Sequence, residues 1–343
     1  MNSNSSKAVD RTDPRVVPVE VAKTLPPAER YEYFERVRIS HPKLSVAMRE
    51  IEHLLYPTPG ANLVLLVGPP GVGKSMLIDL LHEGVLAQHK QEMFNDPGFL
   101  PITVLKAGSS GDKAFSWKNF YGEYLRSAGG PLQSTIGGLR VSVEQTLFYR
   151  RTGIFVIDEA VHMLRGASRT TALGHVDALK SLASMVGVTI ILVGSYDLAE
   201  ILAMSGQIAR RSTLVHFPRY LQQPGKEGDA FQLALKGMLA SFPVEGAVPL
   251  LELSSQLHQI THGCVGILKK LFLESLKMAF SDGRQWNRGH LRRALPRAAQ
   301  LDAMIRETDQ GEKLLAKNDF ESNAWDVLTK FKASLREEEE DAR

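Results

Sequence analysis

Three glycines, a lysine and a serine stand at fixed spacing between an apolar run and an amphipathic segment. The segment reads Gly68, Pro69, Pro70, Gly71, Val72, Gly73, Lys74, Ser75 and Met76. Glycines let backbone N–H groups approach an anion closely, and the N-terminus of the following helix adds a positive potential. At this spacing the lysine contacts the β- and γ-phosphates and the serine hydroxyl binds Mg²⁺. The sequence therefore predicts that Lys74 and Ser75 bind ATP and Mg²⁺.

An acidic pair, Asp158 and Glu159, directly follows the apolar run 154–157. An aspartate at the carboxyl end of a parallel strand lies where α/β sheets bind ligands, so Asp158 is expected to bind the Mg²⁺. Glu159 is then expected to orient or deprotonate the attacking water, which favours hydrolysis over phosphate transfer to an acceptor. The alternative is an acidic pair that starts a helix. His162 is either a partner of Glu159 or a packing residue, and packing is the more common role for a lone histidine on a helix flank.

Polar residues near other strands and helices extend the candidate site. Ser195 follows the run 188–193 and either holds the water against the γ-phosphate or forms a strand-end turn. Arg210 and Arg211 are either solvated charges or an arginine finger that reaches the γ-phosphate of a neighbouring subunit. Lys269 either contacts the nucleotide from a helical domain or is a basic residue on an amphipathic helix.

Apolar runs and helical patterns alternate over the first two thirds of the chain. The runs are 62–67, 101–105, 154–157, 188–193 and 214–217, and the helical patterns are 75–88, 116–127, 141–151, 175–186 and 197–204. Continuous runs rich in Val, Ile and Leu are typical of parallel strands that are covered on both faces. The alternation therefore predicts a doubly wound α/β layer around a P-loop. After Pro218 only helical patterns follow, at 229–242, 249–262, 265–280 and 288–299.

These patterns divide the chain into four parts. They are an N-terminal arm with helices (1–57), an α/β ATPase core (58–220), a helical lid (221–300) and an acidic C-terminal tail (301–343). Because prolines interrupt residues 1–30, we expect a mostly extended arm there, followed by a short helix at 28–39 and a longer one at 42–57. The tail is not expected to bury a core. Its apolar helical face suits either a partner protein or the lid, and the face consists of Ala324, Trp325, Leu328, Phe331 and Leu335.

Composition limits the class of protein. The single cysteine, Cys264, excludes an internal disulfide framework, and no apolar run approaches the ~20 residues that span a membrane. With no signal peptide evident at the N-terminus, the sequence predicts a soluble cytoplasmic protein without membrane contact. The tail holds 7 basic and 12 acidic residues, and the other 300 residues hold 34 basic and 26 acidic. Such a basic body suits a nucleic-acid binder, although many metabolic enzymes are equally basic.

Together, the phosphate loop, the "VIDE" strand end, the arginine pair and the helical lid resemble an AAA+ ATPase over residues 60–300. More narrowly, three stretches resemble the TnsC/TniB family of transposition regulators: "YFERVRISHPKL", "IDEAVHML", and "GQIARRS" followed by "VHFPRY". The resemblance implies a five-stranded parallel sheet of order 5-1-4-3-2 and a C-terminal helical lid. It also implies an ATP-assembled ring or helical filament on duplex DNA, linking a target selector to the transposase. Lys269 stands where many AAA+ proteins have arginine.

In that family, loops after the second strand line the DNA channel. The best candidates here for phosphate contacts are Lys113 and Thr135, followed by Lys106 and Lys118. Such contacts would be independent of base sequence and sensitive to salt. The alternative for each residue is scattered surface charge.

Two other functions compete with transposition regulation. One is an AAA+ helicase loader or replication-initiation ATPase, which often carries a dedicated DNA-reading domain after the lid. The other is a P-loop metabolite kinase, which has no nucleic-acid partner. The arginine pair, the Asp-Glu pair and the helical lid all disfavour the kinase.

The arginine finger can be tested by mixing two inactive variants. Lys74→Ala lacks a phosphate-binding lysine, and Arg210→Ala with Arg211→Ala lacks the finger, so neither protein alone should hydrolyse ATP. Mixed oligomers pair an intact finger with an intact phosphate loop, and a phosphate-release assay should show partial recovery of activity. An active arginine double mutant would contradict the finger.

Overall fold

The computed structural model describes residues 12–55, 63–108, 115–199, 212–222, 226–245 and 248–317. Predictions for Lys113, Arg210, Arg211 and the tail face at 324–335 fall outside these residues. The chain forms two compact units. The first comprises Met1–Met48, Pro70–Leu77 and Phe217–Ile305, and the second comprises Arg49–Pro69, Ile78–His216 and Arg306–Arg343.

A five-stranded parallel sheet forms the centre of the second unit. Its strands are β1 (Leu63–Val67), β2 (Ile102–Lys106), β3 (Ile154–Asp158), β4 (Thr189–Gly194) and β5 (Ser212–His216). Their order is β2-β3-β4-β1-β5, which is the predicted order 5-1-4-3-2 read from the other edge. Every residue of β1, β3 and β4 is buried, whereas β2 and β5 at the edges are partly exposed. The continuous apolar runs therefore belong to central strands covered on both faces.

Helices make up most of the remaining described residues. They are α1 (Val19–Ala22), α2 (Pro27–Arg36), α3 (Pro42–Leu55), α4 (Lys74–Gln88), α5 (Lys90–Asn95), α6 (Trp117–Ala128), α7 (Ile136–Tyr149), α8 (Arg169–Val186), α9 (Lys226–Ala240), α10 (Ser254–Thr261), α11 (Val265–Ser281), α12 (Arg288–Ala294) and α13 (Ala298–Lys317). Short 3₁₀ helices occupy Ala160–Met163, Tyr196–Ala199 and Val248–Leu253. In the part of the chain that the structure describes, no helix combines the length and apolar character needed to cross a membrane.

Capping residues explain why two helices begin earlier than predicted. The Thr135 hydroxyl accepts a hydrogen bond from Gly138 N at 3.0 Å, and α7 therefore begins at residue 136 rather than 141. Ser168 likewise accepts from Thr171 N at 3.2 Å, so α8 begins at residue 169 rather than 175. A side-chain oxygen at the N-cap satisfies a backbone donor that the helix leaves unpaired. Two glycines in the first turn of α7 and polar residues in the first turn of α8 hid these starts from the apolar pattern.

The core of the second unit lies between the sheet and helices α6, α7 and α8. Tyr124 of α6 and Phe155 of β3 are completely buried, with ring centroids 5.3 Å apart. The last part of α13 joins this core, because Thr308 is only 4% exposed and Leu315 packs against the apolar cluster. The expectation that the chain buries no core after residue 301 is therefore wrong for residues 306–317.

The first unit has its own core, in which the N-terminal helices pack against lid helices. The ring centroids of Phe34 and Phe242 lie 4.9 Å apart, and those of Phe242 and Phe272 lie 5.1 Å apart. Ala22 of α1 is completely buried in the same cluster. The predicted extended arm is thus wrong for Val19–Ala22, and α2 begins one residue before the helix predicted at 28–39. Pro27 occupies the first turn of α2, where proline favours a helix start because no N–H partner is needed.

Gly311 allows α13 to pack on the end of β4, so substituting it should destabilise the protein. A Cβ at Gly311 would overlap the ring of Tyr196, whose atoms surround that position. We expect Gly311→Ala to lower the free energy of unfolding by about 1–3 kcal/mol, as overpacking does in other proteins. Urea denaturation followed by circular dichroism measures this loss.

Gly174→Ala is the matched control. Gly174 lies inside α8 and has open space around the added Cβ. Alanine favours a helix interior over glycine, so this variant should be as stable as the wild type or more stable by up to ~1 kcal/mol. Equal stability of the two variants would show that Gly311 does not need to be small.

Candidate nucleotide-binding site

Several predicted site residues meet at the carboxyl edge of the sheet. Val67 at the end of β1 pairs with Gly194 at the end of β4, and Asp158 at the end of β3 pairs with Lys106 on β2. Gly68 and Pro69 follow β1, Glu159 follows β3 and Ser195 follows β4. Because neighbouring parallel strands end together, their following residues share one edge, which is the usual ligand-binding edge of an open α/β sheet.

Asp158 is a buried carboxylate held in one orientation. It is 7% exposed, and its Oδ1 accepts a hydrogen bond from Glu159 N at 2.8 Å. Its backbone oxygen accepts from Ala107 N, also at 2.8 Å, which fixes the strand end against β2. Mg²⁺ prefers oxygen ligands, and the Asp158 carboxylate is a ligand of this kind. The chemistry of this side chain fits a Mg²⁺ ion, and binding of the same ion by Ser75 stays a prediction.

In the first unit, the phosphate loop has a backbone that requires glycine. Gly71 has φ +74° and Gly73 has φ +119°, values that side chains other than glycine rarely adopt. Leu77 N donates to Gly73 O at 3.0 Å, so the first turn of α4 is closed directly after the loop. Helix α4 begins at Lys74 and continues to Gln88, and its N-terminus presents backbone donors of the kind that bind phosphate.

Helix α11 packs directly on this loop. A Cβ at Gly266 would lie 2.5 Å from the carbonyl oxygen of Gly71, and a Cβ at Gly71 would lie 2.5 Å from Cγ1 of Ile267. Both glycines are therefore needed for the close approach of two backbones. The glycine of the predicted Gly266-x-x-Lys269 motif thus has a packing reason that is independent of the lysine.

Lys269, on the same helix, is bonded to the end of α2. Its Nζ donates to the carbonyl oxygens of Glu35 at 2.6 Å and Val37 at 2.8 Å. A cation at the C-terminal end of a helix satisfies carbonyls that have no partner within the helix. Burial lowers the pKa of Lys269 below its ordinary value. Contact between Lys269 and a nucleotide stays a prediction.

His162 pairs with Glu159, which is one of its two interpretations from the sequence. Its Nε2 lies 2.9 Å from Oε2 of Glu159, so the two side chains pair within one turn. Glu159 itself has φ +54°, a left-handed conformation that is uncommon for residues other than glycine and is often found at functional sites. The Glu-x-x-His spacing was the available signal, because residues three apart in a helical turn lie on the same face.

Ser195 forms a turn at the end of β4, as one of its two interpretations predicted. Its Oγ donates to Asp197 Oδ2 at 3.3 Å, and its carbonyl oxygen accepts from Leu198 N at 3.1 Å. The residue also lines a cavity of about 270 Å³ between the strand end and α13. A contact between Ser195 and the attacking water stays a prediction.

The candidate DNA contacts do not all lie at one place. Lys106 is exposed and is the register partner of Asp158, so it lies at the carboxyl edge of the sheet. Lys118 is exposed in the first turn of α6, and Thr135 caps α7. The hydroxyl of Thr135 thus has a structural role in addition to the predicted phosphate contact.

Two stretches that carried the sequence resemblance contact each other in the first unit. His41 Nδ1 lies 3.1 Å from the hydroxyl of Tyr220, and Lys43 Nζ donates to the carbonyl oxygen of Arg219 at 2.6 Å. The Phe217 ring stacks on His41 at 6.0 Å between centroids and lies beside Gly73 of the phosphate loop. Burial lowers the pKa of His41 to about 4. Through Phe217, the contact between "ISHPKL" and "HFPRY" extends to the phosphate loop.

The strand order, the glycine loop after the central strand and the acidic pair after β3 define a P-loop domain of the AAA+ fold. Comparison with known proteins agrees with this class. Residues 58–202 match the family model described as an AAA domain. No curated protein sequence matches the chain at a significant level.

Solved structures of archaeal proteins share the fold. The ORC1 protein of Aeropyrum pernix, solved in complex with DNA, has a TM-score of 0.56 at 14% identity, over 76% of this chain and 66% of that chain. The ORC2 protein of the same organism, in ADPNP and ADP complexes, has a TM-score of 0.54 at 14% identity, over 74% of this chain and 66% of that one. Cdc6p from Pyrobaculum aerophilum has a TM-score of 0.50 at 15% identity, over 76% of this chain and 69% of that one. The chain therefore spans about two thirds of the length of these proteins.

The buried neutral His41 should make the protein sensitive to acid. Its pKa of about 4 in the folded protein is below the ordinary 6.5, so its contribution to stability is complete above pH 6.5 and is lost as pH falls toward 4. At pH 5, protonation of this residue in the unfolded chain should lower the free energy of unfolding by about 2 kcal/mol relative to neutral pH. Urea denaturation at pH 7.5 and pH 5 measures it.

His41→Gln removes the titrating group. The fall in the free energy of unfolding between pH 7.5 and pH 5 should therefore be about 2 kcal/mol smaller in this variant than in the wild type. His53→Gln, at an exposed position on α3, is the control and should keep the wild-type pH dependence. An unchanged pH dependence in His41→Gln would contradict the shifted pKa.

Proposed function

We propose that this protein binds and hydrolyses ATP with Mg²⁺ and uses the bound ATP to control its assembly on duplex DNA. The observation that carries the proposal is the alignment of strand ends that brings Gly68, Asp158 and Ser195 to one edge of the sheet. A phosphate loop after β1, with a buried carboxylate and an exposed glutamate at the end of β3 one strand further along the sheet, suits nucleoside triphosphate hydrolysis.

Each residue of the site has a chemical role in this proposal. Lys74 and the N–H groups at the start of α4 bind the phosphates, and Ser75 and Asp158 hold the Mg²⁺, which neutralises charge on the phosphates. Glu159 orients water and accepts a proton from it as the water oxygen bonds to the γ-phosphorus and the bond to ADP breaks. Arg210 and Arg211 from a neighbouring subunit stabilise the charge that develops on the phosphate. Self-association into a ring or filament is thus part of the mechanism.

Duplex DNA is the proposed partner of the assembled protein. The excess of basic residues before residue 301 and the exposed Lys106 and Lys118 support contacts to the phosphate backbone. The likeness in fold to an ORC1 protein solved in complex with DNA supports the same partner. Contacts to phosphates carry no base information, so binding should be independent of sequence.

Within this class, the structural comparisons favour a helicase loader or replication-initiation ATPase over the other candidates. The ORC1, ORC2 and Cdc6p chains are the basis for this preference. The protein would then use ATP-dependent assembly to deliver or position a replication partner on DNA.

A transposition regulator is the second candidate. Two features of the TnsC/TniB resemblance make specific contacts: the His41–Tyr220 pair joins two of the resembling stretches, and Glu159 pairs with His162 in the third. In this case the assembled protein links a target selector to a transposase. Acceptor-dependent phosphate transfer, which a metabolite kinase requires, is not part of either candidate.

DNA binding should depend on ATP and weaken with salt. Fluorescence anisotropy with unrelated duplex sequences should give similar affinities in the presence of ATP, at least ~10-fold weaker at physiological than at low salt. Lys74→Ala should bind neither ATP nor DNA. Glu159→Gln should bind both and hydrolyse ATP at least ~100-fold more slowly, because the water lacks its base.

Equal DNA binding without nucleotide, or strong preference for one sequence, would contradict ATP-controlled assembly. The DNA-bound Glu159→Gln complex also separates the two candidates. Binding of the replicative helicase to this complex supports the loader or initiator, and binding of the transposase supports the transposition regulator. Lys236→Ala, on α9 of the lid, is a charge-matched control for Lys74→Ala and should keep ATP binding.

A further inference from the structure

The carboxylate of Glu159 and the imidazole of His162 differ strongly in exposure although they are 2.9 Å apart. The Glu159 side chain is 55% exposed, whereas the His162 side chain is 16% exposed. Glutamate has several rotatable bonds, and an exposed glutamate without a partner samples many rotamers. The more buried imidazole is therefore the fixed member of the pair.

The turn that carries His162 is anchored on both sides. Its neighbours Ala160 and Met163 are 1% and 3% exposed, within the core of the second unit. His162 N donates to Glu159 O at 3.0 Å, which closes the turn. A Cβ at Gly194 would lie 3.6 Å from Val161 N, so the turn also packs closely on the end of β4. These contacts hold His162 in place relative to the strand ends.

We propose that His162 is a positioning residue for Glu159. Its Nε2–H donates to Oε2 of the carboxylate and fixes the rotamer, so that Oε1 is left to accept the proton of the attacking water. A catalytic base is commonly oriented by a third group in this way. The inference rests on the proposed hydrolysis of ATP by the same site. His162 does not contact the reacting atoms, so it should change the rate of ATP hydrolysis only by orienting Glu159.

A second pair in the same unit provides a matched control. His89 Nδ1 lies 2.8 Å from Glu92 Oε2, with the same three-residue spacing, but this pair lies at the start of α5. If a His–Glu pair acted only through general stability, removal of either histidine would have a similar effect on the protein.

The test compares ATP hydrolysis by the full chain with His162→Ala, His162→Phe, His162→Gln and His89→Ala. The Ala and Phe variants should lower kcat about tenfold with KM nearly unchanged, since they lose only the orientation of a base that contributes ~10²–10⁴ in rate. His162→Gln retains an N–H donor and should recover most of the rate. His89→Ala should hydrolyse ATP at the wild-type rate.

A double-mutant cycle identifies the route of the effect. In the Glu159→Gln background, His162→Ala should cause no further loss, because the base that it positions is already absent. A wild-type kcat in His162→Ala, a faster rate in that variant, or a further tenfold loss in the double mutant would each overturn the proposal. Lack of recovery in a folded His162→Gln would do the same.

The pairing has a readout that does not need activity. The ¹⁵N chemical shifts of the His162 ring should change in Glu159→Gln, and those of the His89 ring should not. If the wild type fails to hydrolyse ATP while the His162 shifts respond, the proposed function fails and the contact stands. If the wild type hydrolyses ATP and neither rate nor shifts respond, only the positioning role fails.

Discussion

Burial of the three central strands on both faces is the constraint on which the site depends. Every residue of β1, β3 and β4 is buried, so their interior positions are apolar and polar side chains occur only at the strand ends. The first polar side chain at the end of β3 is Asp158, and its position is fixed by its own pairing with Lys106 on β2 and by the pairing of Ile157 with Leu192 on β4. A misaligned strand would move this carboxylate into the core or away from the sheet edge. The site chemistry is therefore a consequence of the register of the sheet.

The fold and the chemical core of the site were predictable because their signals are local. The ends of the continuous apolar runs lie within two residues of the observed strand ends. The glycine spacing identified a loop in which Gly71 and Gly73 have positive φ. The strand order itself came from the resemblance to AAA+ proteins, and the structure confirms it. Apolar runs specify strands but carry no information about which strands are neighbours.

Other features could not be predicted because they depend on contacts between distant segments. The N-terminal prolines were taken as signs of an extended arm, yet Pro27 starts a helix whose partner, Phe242, is far along the chain. The acidic character of the tail concealed Leu315, which packs in the core of the second unit. Lys269 had a plausible nucleotide role from its motif, whereas its partners in the structure are carbonyl groups of α2. Solvent-facing charge and helix-capping charge have the same sequence pattern.

The close contact between Gly71 and Gly266 couples the position of the phosphate loop to the position of helix α11 within the first unit. The same helix holds the end of α2 through Lys269, so the loop and the N-terminal segment share one helix as their support. Thermodynamic linkage is reciprocal: a ligand on the loop that alters the position of α11 changes the free energy of the α2 contact. A molecule that binds α2 and shifts α11 must then change the affinity of the loop by an equal factor. A contact made on the N-terminal segment can therefore act on the phosphate loop without touching it.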